Sequence, residues 1–266
     1  MIDNIKKGVI VTGASGGMGK SVCNLLCSNY EVYALDVKDT ENTNVNFVYC
    51  DVTDENSVNS AFQKVKEQTS SVYAIVHTAG IYDLDSLLEI EEERMLKIFN
   101  VNFFGVYRIN KTFLPLLKKG SRIITVTSEL APLSPLPFTG IYAITKTALE
   151  NYAQSLRVEL ALLGIDLSVI RPGAVKTDMI SASTTALDKF CNRTKLYPVN
   201  AKRFKKIVDS VENKTISPIK IAKKIERALK VKKPKLTYNI NRNPLLRLLS
   251  FLPKKIQVAI LRKILK

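Results

Sequence analysis

The chain has 266 residues, 46% of them apolar and 24% charged, and a formal net charge of +16. That length suits one large domain, and the apolar share suffices for a sizeable core, which excludes a disordered chain. The single histidine, His77, excludes a His-based metal site and a Ser-His-Asp triad; Cys23, Cys27, Cys50 and Cys191 lack metal-ligand spacing and are expected as free thiols.

The chain enters a strand-like segment almost at once, with no leader of secretory type and no apolar run of membrane-spanning length. A cytoplasmic protein is therefore expected, with association to a membrane surface left open. Short β-branched runs over 8–12, 31–36, 46–50, 72–78, 122–127 and 165–171 alternate with stretches of helical period over 17–28, 56–68, 101–117 and 141–163. Six strands joined by crossover helices predict an α/β fold, a doubly wound Rossmann-like parallel sheet in residues 1–240. Val9-Ile10-Val11 and Ala74-Ile75-Val76 are continuously apolar, as strands covered on both faces should be. Between 181 and 213 the pattern loosens into a polar, lysine-bearing stretch, expected as a surface excursion or a loop that closes over substrate.

Thr12-Gly13-Ala14-Ser15-Gly16-Gly17-Met18-Gly19 stands between the first strand and the first helix. In such a turn Gly13 permits the tight bend, Gly17 lets backbone approach a diphosphate, and Gly19 lets helix and strand pack closely. Ser15, Gly16 and Met18 complete a cradle whose amides and helix terminus favour an anion. Asp36, about twenty residues on at the end of the second strand, can accept hydrogen bonds from a ribose diol and would repel a 2'-phosphate. NAD is the expected cofactor over NADP, although Lys38 nearby leaves room for the latter.

Tyr142 and Lys146 lie one helical turn apart on the same face. A tyrosine with a pKa of about 10 is a poor base near neutrality, but an ammonium about 4 Å away contributes roughly 4 kcal/mol to its phenolate at an effective dielectric near 20. Ser128, after the fifth strand, offers a hydroxyl for a substrate oxygen, with Thr127 as a minor competitor. Asn102 opens a predicted helix and fits either a cap or the holder of a water leading to Lys146.

Taken together, the Gly-rich turn, Asn102, Ser128 and the Tyr142-x-x-x-Lys146 spacing resemble the short-chain dehydrogenase/reductase superfamily over roughly residues 7–178. The resemblance implies an oxidoreductase in which hydride moves between a nicotinamide and a carbinol or carbonyl carbon while Tyr142 exchanges the proton. It further implies that Asp51 and Val52 contact adenine, that Ala79 and Gly80 bring backbone to the cofactor, and that Pro172, Gly173, Val175 and Thr177 receive the nicotinamide. A homo-oligomer is expected on the same ground. Where the family usually has Asn-Asn-Ala-Gly, this chain has His77-Thr78-Ala79-Gly80, with His77 read as a packed strand residue rather than a proton shuttle.

Leu130, Pro132, Leu133, Pro135, Leu136, Pro137 and Phe138 form an apolar segment where the family places one wall of its substrate pocket. A hydrophobic alcohol or ketone is the expected substrate, steroid-, retinoid- or acyl-chain-like as in hydroxysteroid and retinol dehydrogenases, with a loop packed on the core as the alternative. Residues 241–266 form a basic amphipathic tail divided by Pro253. Such a tail fits a membrane interface, a cover for the pocket or a second subunit. A non-catalytic dinucleotide-binding regulator would keep the glycines and Asp36 but has no need of Ser128, Tyr142 and Lys146. Nucleic-acid binding is not expected, because the basic tail carries apolar faces rather than stacking aromatics.

Overall fold

The computed structural model describes residues 6–133, 136–212 and 215–266, apart from the side chains of 181, 182, 211 and 212. Seven parallel strands form one sheet in the order β3-β2-β1-β4-β5-β6-β7: β1 Lys7–Thr12, β2 Tyr30–Asp36, β3 Asn46–Tyr49, β4 Val72–His77, β5 Leu117–Val126, β6 Asp166–Pro172 and β7 Thr237–Ile240. The expected doubly wound sheet is present, with one strand more than the sequence predicted. β7 is only four residues long and follows a lysine-rich stretch, so its pattern is weak; Tyr238 pairs with Ile170 and is buried.

Side chains alternate across the sheet. Val9, Val11, Ala74 and Val76 face a layer built by α1 (Gly17–Leu26) and α8 (Pro218–Lys230), where Val22, Leu26, Ile221 and Ile225 are fully buried. Ile10 and Ile75 face the opposite layer, built by α2 (Glu55–Gln68), α4 (Gly105–Phe113) and α5 (Gly140–Leu162), with Val58, Ile109, Phe113 and Ala153. Each such Val, Leu, Ile or Phe side chain contributes about 1.5–3 kcal/mol on burial. Cys23 and Cys50 lie in these layers as free thiols, and burial pushes each up to about 12.

Two sequence expectations are corrected. The helix predicted over 101–117 begins earlier, as α3 (Glu92–Phe99), and runs through a π-helical turn at Asn100–Phe104 into α4. The excursion expected over 181–213 is largely helical: α6 spans Asp178–Arg193 and α7 Pro198–Glu212. Their apolar stripe is sparse. Leu187, Phe190, Ala201 and Phe204 close on Phe138 to form a separate small core. The chain ends in α9 (Pro244–Phe251) and α10 (Lys254–Leu265).

Candidate active site

The chain leaves β1 for β2 on one side and returns from β3 to β4 on the other, so the carboxyl ends of β1 and β4 flank a crevice. Gly13 follows β1 with φ +67°, and a Cβ there would lie 2.5 Å from the backbone of Ala79, which follows β4. A side chain at Gly19 would meet the Gly13 carbonyl oxygen at 2.0 Å, and one at Gly17 would meet Thr177 at 2.7 Å. The glycines thus let two strand ends and the start of α1 converge. A cavity of about 1200 Å³ opens there, lined by Gly13, Ser15, Gly16, Gly17, Met18, Gly19, Asp36, Asp51, Val52, Ala79, Gly80 and Thr177 among others.

These features fit a dinucleotide. No side chain caps α1, whose first turn lines the cavity, and the exclusion of Cβ atoms at Gly13, Gly17 and Gly19 leaves backbone exposed to a ligand. Asp36 accepts from the amides of Ser15 at 2.9 Å and Lys38 at 3.2 Å, which ties the tip of β2 to the turn. Asp51 accepts from the amide and hydroxyl of Thr53 at 2.8 and 2.7 Å. Pro172, Gly173 and Val175 do not line this cavity. Gly173 instead packs so closely that a Cβ would lie 2.0 Å from the Asn241 carbonyl oxygen, while Val175 is buried and bridges to Ile216.

On the other side of Gly80 the expected catalytic residues converge. A Cβ at Gly80 would lie 3.3 Å from Asn102 Oδ1 and 3.4 Å from Lys146 Nζ. Asn102 is fully buried inside the π-helical turn, a correction to its expected place at a helix start. The wider turn points its carboxamide at two segments: Oδ1 accepts from the Ile81 amide at 2.8 Å, and Nδ2 donates to the Ile81 carbonyl at 3.0 Å and the Thr145 hydroxyl at 3.1 Å. Ser128 stands beside the Tyr142 phenol and opposes the rise in its pKa, while its hydroxyl accepts from the Leu130 amide at 3.1 Å. Thr127 does not compete, because its hydroxyl donates to Glu150 at 2.9 Å.

The electrostatics of the pair differ from the sequence argument. Lys146 Nζ donates to the Val126 carbonyl at 3.3 Å and lies 5.7 Å from the centroid of the Tyr142 ring. Both groups are buried, and loss of water pushes Lys146 down to about 8 and raises Tyr142 above the usual tyrosine range, with Tyr82 adding to the rise and Ser128 opposing it. Tyr142 therefore carries its proton at neutral pH.

Hydrogen bonds and ion pairs tie the segments around the site to one another. The Thr78 hydroxyl donates to the Thr12 carbonyl at 2.6 Å, so the unusual His77-Thr78 pair still binds β4 to the Gly-rich turn. His77 is a buried, packed residue whose Nε2 bonds Asn110 at 2.8 Å. Arg94 joins Asp83 and Asp85, and Arg193 on α6 joins Asp85 from the other side. In the expected apolar wall, Leu130 packs beside Ile98, Ile141 and Tyr142, but Phe138 is core, held at φ +65° among Phe190, Tyr197 and Phe204. Pro135 lies outside the described residues.

Comparison with known proteins agrees with this geometry. The chain is 30% identical over 224 residues to a probable short-chain type dehydrogenase/reductase, VdlC, of Helicobacter pylori, a match covering 81% of each chain. It is 27% identical over 230 residues to the 3-ketodihydrosphingosine reductase of Bacteroides thetaiotaomicron, covering 85% of this chain and 84% of the relative. The fold matches a short-chain dehydrogenase of Streptomyces avermitilis with a TM-score of 0.76 at 20% identity, over 97% and 95% of the two chains. The family model for short chain dehydrogenases matches residues 7–188, which include every residue lining the cavity, and the chain belongs to that family of oxidoreductases.

Proposed function

We propose that the protein transfers hydride between NAD(H) and a hydrophobic secondary alcohol or ketone, with Tyr142 exchanging the proton. The observation that carries this reading is the convergence of Asn102 and Lys146 on Gly80, beside Tyr142 and Ser128, on the edge of the glycine-lined cavity. A bound nicotinamide dinucleotide would supply or accept the hydride. Ser128 and Tyr142 hold the substrate oxygen between two hydroxyls. In reduction Tyr142 donates its proton to that oxygen, and in oxidation it takes the proton back. Its protonated state is the one from which a ketone reduction starts. Lys146 orients the phenol and supplies positive charge, while Asn102 fixes the Gly80–Ile81 segment against α5 and holds the route for a water to Lys146.

Asp36 at the end of β2 supports NAD over NADP, since its carboxylate accepts donors and repels phosphate. The apolar residues beside Tyr142 and the name of the Bacteroides relative support an acyl-chain-like ketone among hydrophobic candidates. A panel of long-chain ketones, steroids, retinoids and polyols, read at the reduced-nicotinamide absorbance with both dinucleotides, tests the substrate class. Turnover confined to polyols overturns it. Tyr142→Phe is expected to lower kcat by about 10²–10⁴-fold while dinucleotide binding persists; full activity in that variant overturns the mechanism.

A further inference from the structure

We propose that α9 and α10 dock on an anionic lipid bilayer surface and hold the active-site side of the molecule against it. α9 buries none of its residues: Leu245, Leu248 and Phe251 are 72%, 63% and 73% exposed and line one side of the helix. Ile256 and Ile264 of α10 are exposed as well. Around them Arg247, Lys254, Lys255, Arg262, Lys263 and Lys266 are exposed, and none forms an ion pair among the described residues.

No acidic residue follows Glu226. An apolar face rimmed only by cations matches an acyl boundary beneath anionic headgroups. It does not match a second copy, because a two-fold pairing through this face would set the same cations against themselves. Among the described residues no helix is long and apolar enough to cross a membrane, so the contact lies in the interface.

Both ends of the tail are fastened beside the site. The Asn243 amide donates to the Glu129 carboxylate at 2.6 Å, one residue past Ser128, and the Asn243 side chain caps α9. At the other end Leu265 is buried in the small core with Phe138, whose edge includes Tyr82, and Tyr82 lies on Tyr142. Docking therefore brings the substrate side to the lipid boundary. The consequence that substrate enters from the acyl phase rests on the hydrophobic-substrate reading; docking itself does not.

The full chain is sedimented with vesicles of phosphatidylcholine alone and of phosphatidylcholine mixed with phosphatidylglycerol. Binding to the mixed vesicles, weakened by salt and roughly tenfold lower on the neutral ones, is expected. The combined variant Leu245→Ser, Leu248→Ser, Phe251→Ser should lose about tenfold in partition with its melting temperature and dinucleotide binding unchanged, and Lys254→Glu with Lys255→Glu should weaken binding likewise. Parent protein left in the supernatant, or a serine variant that sediments like the parent, overturns the proposal. So does a dimer in sedimentation equilibrium that the serine variant dissolves, which assigns the face to a second copy. Because pelleted protein is measured rather than turnover, a failed substrate panel leaves this result standing.

Discussion

Tyr82 lies over Tyr142 with ring centroids 4.7 Å apart and planes tilted by 46°. The covering ring excludes water from the phenol, and exclusion of water is the main cause of its raised pKa. Tyr82→Ala should readmit water and move Tyr142 back toward a tyrosine's ordinary value of about 10. Oxidation needs the deprotonated phenol and so gains with rising pH. In the variant that limb of the kcat/KM profile should shift to lower pH by about one unit; an unmoved limb assigns the shift to the rest of the pocket.

The three glycines of the turn that follow Ser15 should differ in their tolerance of alanine. A Cβ at Gly16 meets nothing closer than 3.4 Å, whereas Gly17 meets the movable Thr177 side chain at 2.7 Å and Gly19 meets a backbone oxygen at 2.0 Å. Gly16→Ala should leave the melting temperature near that of the parent. Gly17→Ala should cost about 1–3 kcal/mol and weaken dinucleotide binding, and Gly19→Ala should cost more than either because backbone must shift. Thermal unfolding with and without dinucleotide measures the series, and an order other than Gly16, Gly17, Gly19 contradicts it.

His77 introduces an acid sensitivity. Burial pushes it down to about 4, from an ordinary value near 6.5. Below pH 6.5 the unfolded chain takes up a proton that the folded chain refuses until about pH 4, so stability contributed by the neutral ring is complete above 6.5 and is lost across that interval. The loss is on the order of 3 kcal/mol at its fullest. His77→Asn should flatten the dependence of denaturant midpoint on pH between 6.5 and 4, and a parallel decline in both proteins counts against it.

Asp36 is expected to set cofactor preference. Its carboxylate faces the cavity that Lys38 also lines. Asp36→Asn removes the repulsion of a 2'-phosphate while keeping an acceptor for the Ser15 amide. The ratio of kcat/KM for NADP(H) over NAD(H) should rise by roughly tenfold or more, equivalent to about 1.4 kcal/mol; an unchanged ratio places discrimination elsewhere.

What the sequence determined by itself was whatever one element or one turn encodes. The apolar runs of β1 and β4, the spacing of Gly13, Gly17 and Gly19, Asp36 at the end of its strand and the one-turn separation of Tyr142 from Lys146 are local, and the structure contains all of them. The helices α6 and α7 were not legible, because their few apolar positions, Leu187, Phe190, Ala201 and Phe204, are diluted by polar residues and gain stability only by packing on one another. Only the tertiary structure decided that Asn102 and Lys146 meet at Gly80, that Asp85 stands between Arg94 and Arg193, and that Phe138 belongs to a core rather than to the pocket. It also decided that Tyr142 is buried, and that loss of water is the main cause of its raised pKa. Local spacing says which groups can meet; how much water remains around them follows from every element that packs over them.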